Sequence, residues 1–256
     1  MKILIITDLE GISGISNMDM IQKENPEFEY SAKRLMMDTN AAIEGAFEGG
    51  ASYIKVIDGH AGGGNFIESM LDKRADLFRK NKGEKGLDET YSGVMVVGAH
   101  AMAGTLNGFL DHTQDSRKWF NYWVNGRRTG ELGQWAMWAA HYNVPVIMVS
   151  GDEAACREAY DFFGTVECAP VKRGAGRNNA ILADEEEALD RIKAAAKKAM
   201  SLIGKAKPFE PILPAEIKLE LCRSDFCDEI AKKTGVERLD ARTVRKIINS
   251  YLDWNF

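Results

Sequence analysis

Asp8 and Glu10 stand two residues apart directly after the apolar run Ile3 to Thr7, and in extended chain such residues project to the same side, so the two carboxylates converge. Alone, that pair is better explained by helix capping or a solvated turn. The chain has four histidines, and two of them, His60 and His100, take the same place relative to an apolar run: just beyond its end, after a glycine. If those runs are parallel neighbours, all four side chains reach one edge of one sheet. Each histidine singly reads as a hydrogen-bonded structural group; two in register with the carboxylate pair read better as a metal site. Glu131, after Thr129-Gly130 at the start of a predicted helix, is either an acid favoured by the helix dipole or a fifth ligand, and spacing does not decide between them.

Carboxylates and imidazoles without thiolate form the ligand set of hydrolytic zinc, manganese or similar ions, not of a structural cysteine-rich zinc. Five candidate ligands exceed the three that one catalytic zinc usually takes. Two ions fit better, roughly 3.5–4 Å apart, and Asp8 is the natural bridging carboxylate. His112, in Leu110-Asp111-His112-Thr113, follows a glycine-containing loop after His100 and can swing over such a site. Its imidazole suits proton transfer at neutral pH, while a capped loop histidine explains it as well. His141 sits at a predicted helix end and is assigned no role.

These groups need a scaffold of alternating strands and helices. Buried strands are predicted at residues 3–7, 52–57, 94–97, 144–149 and 166–171, and helices at 30–46, 131–142, 152–163 and 184–203, with a short one at 65–71. Asn125-Gly126 predicts a β-hairpin over residues 120–129. Pro208, Pro211 and Pro214 mark an extended connector, followed by a strand at 216–221 and amphipathic helices at 225–233 and 241–252. The pattern implies a three-layer α/β/α fold with a largely parallel or mixed sheet and a smaller C-terminal α/β portion. Residues 1–207 form the metal-binding region and residues 208–256 a C-terminal unit. Ligands of such sheets collect beyond the carboxyl ends of the strands.

Composition removes several classes. At 256 residues, 45% hydrophobic, 28% charged and with a formal net charge of -5, the chain is neither disordered nor fibrous and offers no basic face for nucleic acid. Its N-terminal apolar run is too short for a signal peptide or a membrane span. Four scattered cysteines read as reduced thiols, which places the protein in the cytoplasm.

Asp8-Leu-Glu10-Gly-Ile-Ser-Gly14, Asp58-Gly-His60, Gly98-Ala-His100-Ala, Leu110-Asp-His112-Thr and Gly130-Glu131-Leu-Gly133 together resemble, in order, the motifs of the D-aminopeptidase family, also called the DppA-like dipeptide transport protein family of zinc peptidases. The resemblance covers the chain to about residue 213. It implies two zinc ions held by Asp8, Glu10, His60, His100 and Glu131, with His112 proposed as nucleophile. It also implies release of N-terminal D-amino acids, typically D-Ala, from short peptides or amides, and a ring-shaped homo-oligomer, decameric in the type member. The segment from Pro170 to Ala180 resembles the family's basic segment, in which Lys172 or Arg177 pairs with a peptide carboxylate or a developing oxyanion, or is a plain surface charge. Two other readings use the same residues: a binuclear phosphoesterase, with Gly62-Gly63-Gly64 as its phosphate donors, and a peptide-binding accessory protein of a transport system.

Overall fold

Ile3, Leu4, Ile5 and Ile6 are all buried, as a strand covered on both faces requires. The computed structural model describes residues 1–79 and 86–256. Among these the strands are β1 (Lys2–Thr7), β2 (Tyr53–Asp58), β3 (Asp76–Leu77), β4 (Gly93–Ala99), β5 (Trp119–Val124), β6 (Arg127–Arg128), β7 (Val146–Asp152), β8 (Glu167–Gly176), β9 (Asn179–Leu182), β10 (Ala215–Leu221), β11 (Glu237–Arg238) and β12 (Thr243–Ile248). The α-helices are α1 (Phe28–Glu48), α2 (Glu131–Ala140), α3 (Glu153–Phe163), α4 (Glu185–Ala199) and α5 (Ser224–Ile230).

The main sheet runs β3-β2-β1-β4-β7-β8-β9, parallel except for the β8–β9 pair. Ile3 and Ile5 pack with residues of α1 and α4, and Leu4 and Ile6 with residues of α2 and α3, so alternate side chains of one strand feed two cores and create three layers. The start of α4 is fixed by Asp184, which accepts from the N–H groups of Glu186 and Glu187; acids fill its first turn and Lys197 and Lys198 its last. Such a cap contributes about 1 kcal/mol, and the charges oppose the helix dipole favourably.

A second, antiparallel sheet has the order β11-β12-β10-β5-β6. The β5–β6 hairpin turns at Asn125 and Gly126, both at positive φ, as the sequence predicts. This sheet therefore draws strands from both sides of the proline-rich connector. Two predicted elements differ. Residues 243–248 form strand β12, not a helix: Val244 and Ile248 face a buried core and Ile247 lies 58% exposed on the other side, so pairing with β10 overrides a helical-looking apolar spacing. Residues 65–71 contain only a single 3-10 turn at Glu68–Met70.

Candidate metal centre

The site collects where β1 ends between its parallel neighbours β2 and β4, with Thr7 level with Asp58 and Val97. Asp8 N donates to Val97 O and Gly11 N to Gly98 O, both at 2.8 Å, so the loop after β1 is stitched to the end of β4. Contact is so close that glycine is required on both sides. A Cβ on Gly11 would fall 1.9 Å from the Ala99 carbonyl oxygen, and one on Gly98, at φ +83°, 2.1 Å from that of Asp8.

Five of the six candidate residues approach one another to 3.4 Å or less, and the sixth to 3.5 Å. His60 Nδ1 sits 3.1 Å from Asp8 Oδ1 and 2.9 Å from Glu10 Oε2. His100 Nε2 lies 3.3 Å from Asp8 Oδ2 and 3.4 Å from Glu131 Oε1. His112 Nε2 is 3.5 Å from Glu131 Oε1 and 4.0 Å from Glu10 Oε1, and its ring stacks on His100 with centroids 4.0 Å apart. Asp8, Glu10 and His100 are buried. His100 Nδ1 donates to Ala101 O and His112 Nδ1 to Leu110 O, which leaves Nε2 of each ring to face carboxylates. In a neutral His100 that nitrogen is a lone pair aimed at other lone pairs, and both it and Asp8 Oδ2 are buried without a hydrogen-bond partner. Such an arrangement demands a cation, either a proton on the ring or a metal ion among the oxygens, and the donor set suits zinc. Two histidine–carboxylate pairs, His60 with Glu10 and His100 with Glu131, thus flank Asp8, with His60 at its Oδ1 and His100 at its Oδ2.

Electrostatics point the same way. Burial alone would lower His60, but Glu10 and Asp8 outweigh it and push its pKa up to about 11. His100 is likewise raised well above its ordinary value, burial being outweighed by Glu131 and Asp8. Burial works to raise Asp8, but His100 and His60 outweigh it and hold its carboxyl well below the usual carboxylate range; Glu131 is lowered against burial by His100. Without metal, both shifts favour the protonated ring. Their stabilising contribution is complete below the unfolded value and is lost as pH rises through the raised folded values. Zinc needs neutral imidazoles, so loading the metal-free protein at pH 7 is expected to release about two protons per chain. Calorimetric titration in buffers of different ionisation enthalpy counts them, and zinc affinity should climb with pH.

A family profile described as D-aminopeptidase matches residues 1–255. The chain belongs to the D-aminopeptidase family. A relative from Bacillus subtilis, named D-aminopeptidase, is 30% identical over 215 residues, 82% of this chain and 78% of the relative. A solved structure, described as the Zn-dependent D-aminopeptidase DppA from Bacillus subtilis, a self-compartmentalizing protease, superposes with a TM-score of 0.93 at 27% identity, covering 99% of this chain and 94% of its own.

Within this D-aminopeptidase fold several supporting residues escape sequence reasoning. Asn65, buried, bonds through its N–H and side chain to both oxygens of Asp58 and to His60 O, locking the turn that carries His60. Gln114 N donates to Glu131 Oε1 at 2.8 Å. Glu158, on α3, accepts from Met102 N at 2.8 Å, and burial raises its pKa to about 7. No local motif announces any of them. Lys172 differs from the surface-charge reading: it is buried and donates to the carbonyl oxygens of Glu10 and Ile15. Burial pulls its pKa down to about 7 against the pull of Asp38 and Asp152. Arg177 lines a cleft of about 1500 Å³ together with Asp8, Glu10, His60, His112 and Glu131, and Trp119, Phe226 and Trp254 also line it.

Proposed function

We propose that this protein is a zinc-dependent aminopeptidase that releases N-terminal D-amino acids, of the D-Ala type, from short peptides or amides at a two-ion site. Asp8, Glu10, His60, His100 and Glu131 would hold the ions and His112 would move the proton. The observation that carries the reading is the two-sided use of Asp8, whose oxygens face His60 and His100 separately while Asp8 Oδ2 and His100 Nε2 lack a buried partner. A single ion leaves one of the two histidine–carboxylate groups without a cation. The zinc-dependent solved relative and the family's name support the metal and the substrate class.

Zinc bound here supplies Lewis acidity toward a peptide carbonyl and toward an attacking water. The chain supplies the rest. His112 Nε2, free because Nδ1 is tied to Leu110 O, is the atom that takes a proton during attack and returns it to the departing amine. The cleft exceeds the roughly 300–1,000 Å³ of ordinary small-ligand pockets, room enough for a short peptide. Trp119, Phe226 and Trp254 give it apolar surface beside the candidate ligands. In this reading residues 1–207 carry every candidate ligand, and residues 208–256 contribute Phe226 and Trp254 to the cleft.

The relative described as self-compartmentalizing supports a homo-oligomer, and we carry over the decameric ring; mass in solution against 28.4 kDa for one chain tests it. Among the described residues no helix is long and apolar enough to cross a membrane, and four free thiols support a cytoplasmic location. The deciding assay compares D-Ala-D-Ala, L-Ala-L-Ala and a phosphate monoester, with and without chelator. Zinc-restored cleavage of the D-dipeptide is expected. Turnover of the phosphate ester alone, or peptide binding without hydrolysis, would overturn the proposal.

A further inference from the structure

The loop bearing Glu10 and the loop bearing His112 are joined through a side chain that touches neither functional group. Lys172 projects from β8 into the protein, 3% exposed, and its Nζ donates to Glu10 O and Ile15 O at 2.8 Å each. The first bond fixes the peptide that carries Glu10, and the second closes the same loop five residues on. Nζ also lies 4.5 Å from the centre of the Phe109 ring. Phe109 is held in turn, since its N–H donates to Asp152 Oδ2 at 2.8 Å. Next in the chain, Leu110 N donates at 2.7 Å to Arg177 O, just past the end of β8. Leu110 O then accepts from His112 Nδ1 at 2.8 Å. An unbroken series of contacts thus runs from Glu10 through one amino group to His112, although Glu10 Oε1 and His112 Nε2 stand 4.0 Å apart.

Filling space does not account for this lysine. An aliphatic side chain would occupy the same volume without the cost of removing an amine from water, a cost repaid only by well-placed acceptors. Here the acceptors belong to the loop of candidate ligands, and the ring belongs to the loop of the proton carrier. We propose that Lys172 is a positioning residue that sets the Glu10 carboxylate and the His112 imidazole in register across the site. This rests on the reading of Glu10 as a metal ligand and His112 as the proton carrier.

The test is Lys172→Ala in the full chain, with and without n-propylamine, which restores the atoms from Cγ to Nζ, and with 1-propanol as the isosteric control lacking the amine. Zinc affinity, read by competition with a chromogenic chelator, should fall about 10- to 100-fold, as for other groups that orient metal ligands. With D-Ala-D-Ala, kcat should fall about 100-fold while KM stays within about threefold, the signature of a misplaced rather than an unbound substrate. Propylamine should recover both quantities and 1-propanol neither. Phe109→Leu, which keeps both carbonyl contacts and removes only the ring, should lower kcat about tenfold and leave zinc affinity alone. Native zinc affinity in Lys172→Ala, equal recovery by 1-propanol, or failure to fold even with propylamine would each overturn the proposal. If the native protein hydrolyses no peptide, the zinc competition still decides whether Lys172 positions Glu10, so failure of the functional reading is read separately.

Discussion

His112→Ala should lower kcat by about 10²- to 10⁴-fold, the range expected when a general acid–base is removed, with zinc content and KM nearly unchanged. The expectation comes from where the ring's two nitrogens go. Nδ1 is spent on Leu110 O, so the ring has one defined orientation, and Nε2 opens toward the cleft 3.5 Å from Glu131 and 4.0 Å from Glu10. Its stacking on His100 is shared by a ring already held by Ala101 O, Asp8 and Glu131, so truncating His112 leaves that histidine in place. Metal analysis beside steady-state kinetics makes the check. A variant that loses both zinc and turnover would instead place His112 among the ligands, where its distance to His100 and Glu131 would also admit it.

Asp8→Asn should have the larger effect on the metal: zinc content should drop from the proposed two ions to fewer than one, and peptide hydrolysis should fall to background. The substitution keeps shape and removes charge, so it isolates electrostatics. Asp8 is 3% exposed and is the carboxylate that both His60 and His100 face. With a neutral amide there, two buried imidazoles lose a shared counter-charge, their raised proton affinities relax, and the proton release on zinc addition shrinks with them. Metal content by mass spectrometry and repetition of the buffer-dependent calorimetry read both consequences. Retention of two ions would remove Asp8 from the bridging role.

The heart of this site was legible in sequence because its geometry is local. Two carboxylates at i and i+2 after a buried strand, and histidines just past two other buried strands, need only the assumption of parallel neighbours to converge, and the order β2-β1-β4 supplies it. Glu131 remained ambiguous because an acid at a helix start suits the dipole equally well; its approach to His100 is settled by the path of α2, which spacing does not encode. Lys172 was unreadable for a different reason. Its partners lie 162 and 157 residues away, and nothing near position 172 tells an inward lysine from an outward one. Residues 241–252 misled because Val244, Ile247 and Ile248 mimic a helical stripe, whereas Ile247 is an outward residue of a paired strand.

Between His112 and Glu131 the polypeptide departs from the metal centre, contributes β5 and β6 to the second sheet, and comes back. That excursion finds its main partner, β10, only after residue 214. A two-stranded ribbon left alone in water is marginal at best. The span between His112 and Glu131 is therefore braced by residues 215–221, a segment distant in sequence that contributes none of the six candidate residues.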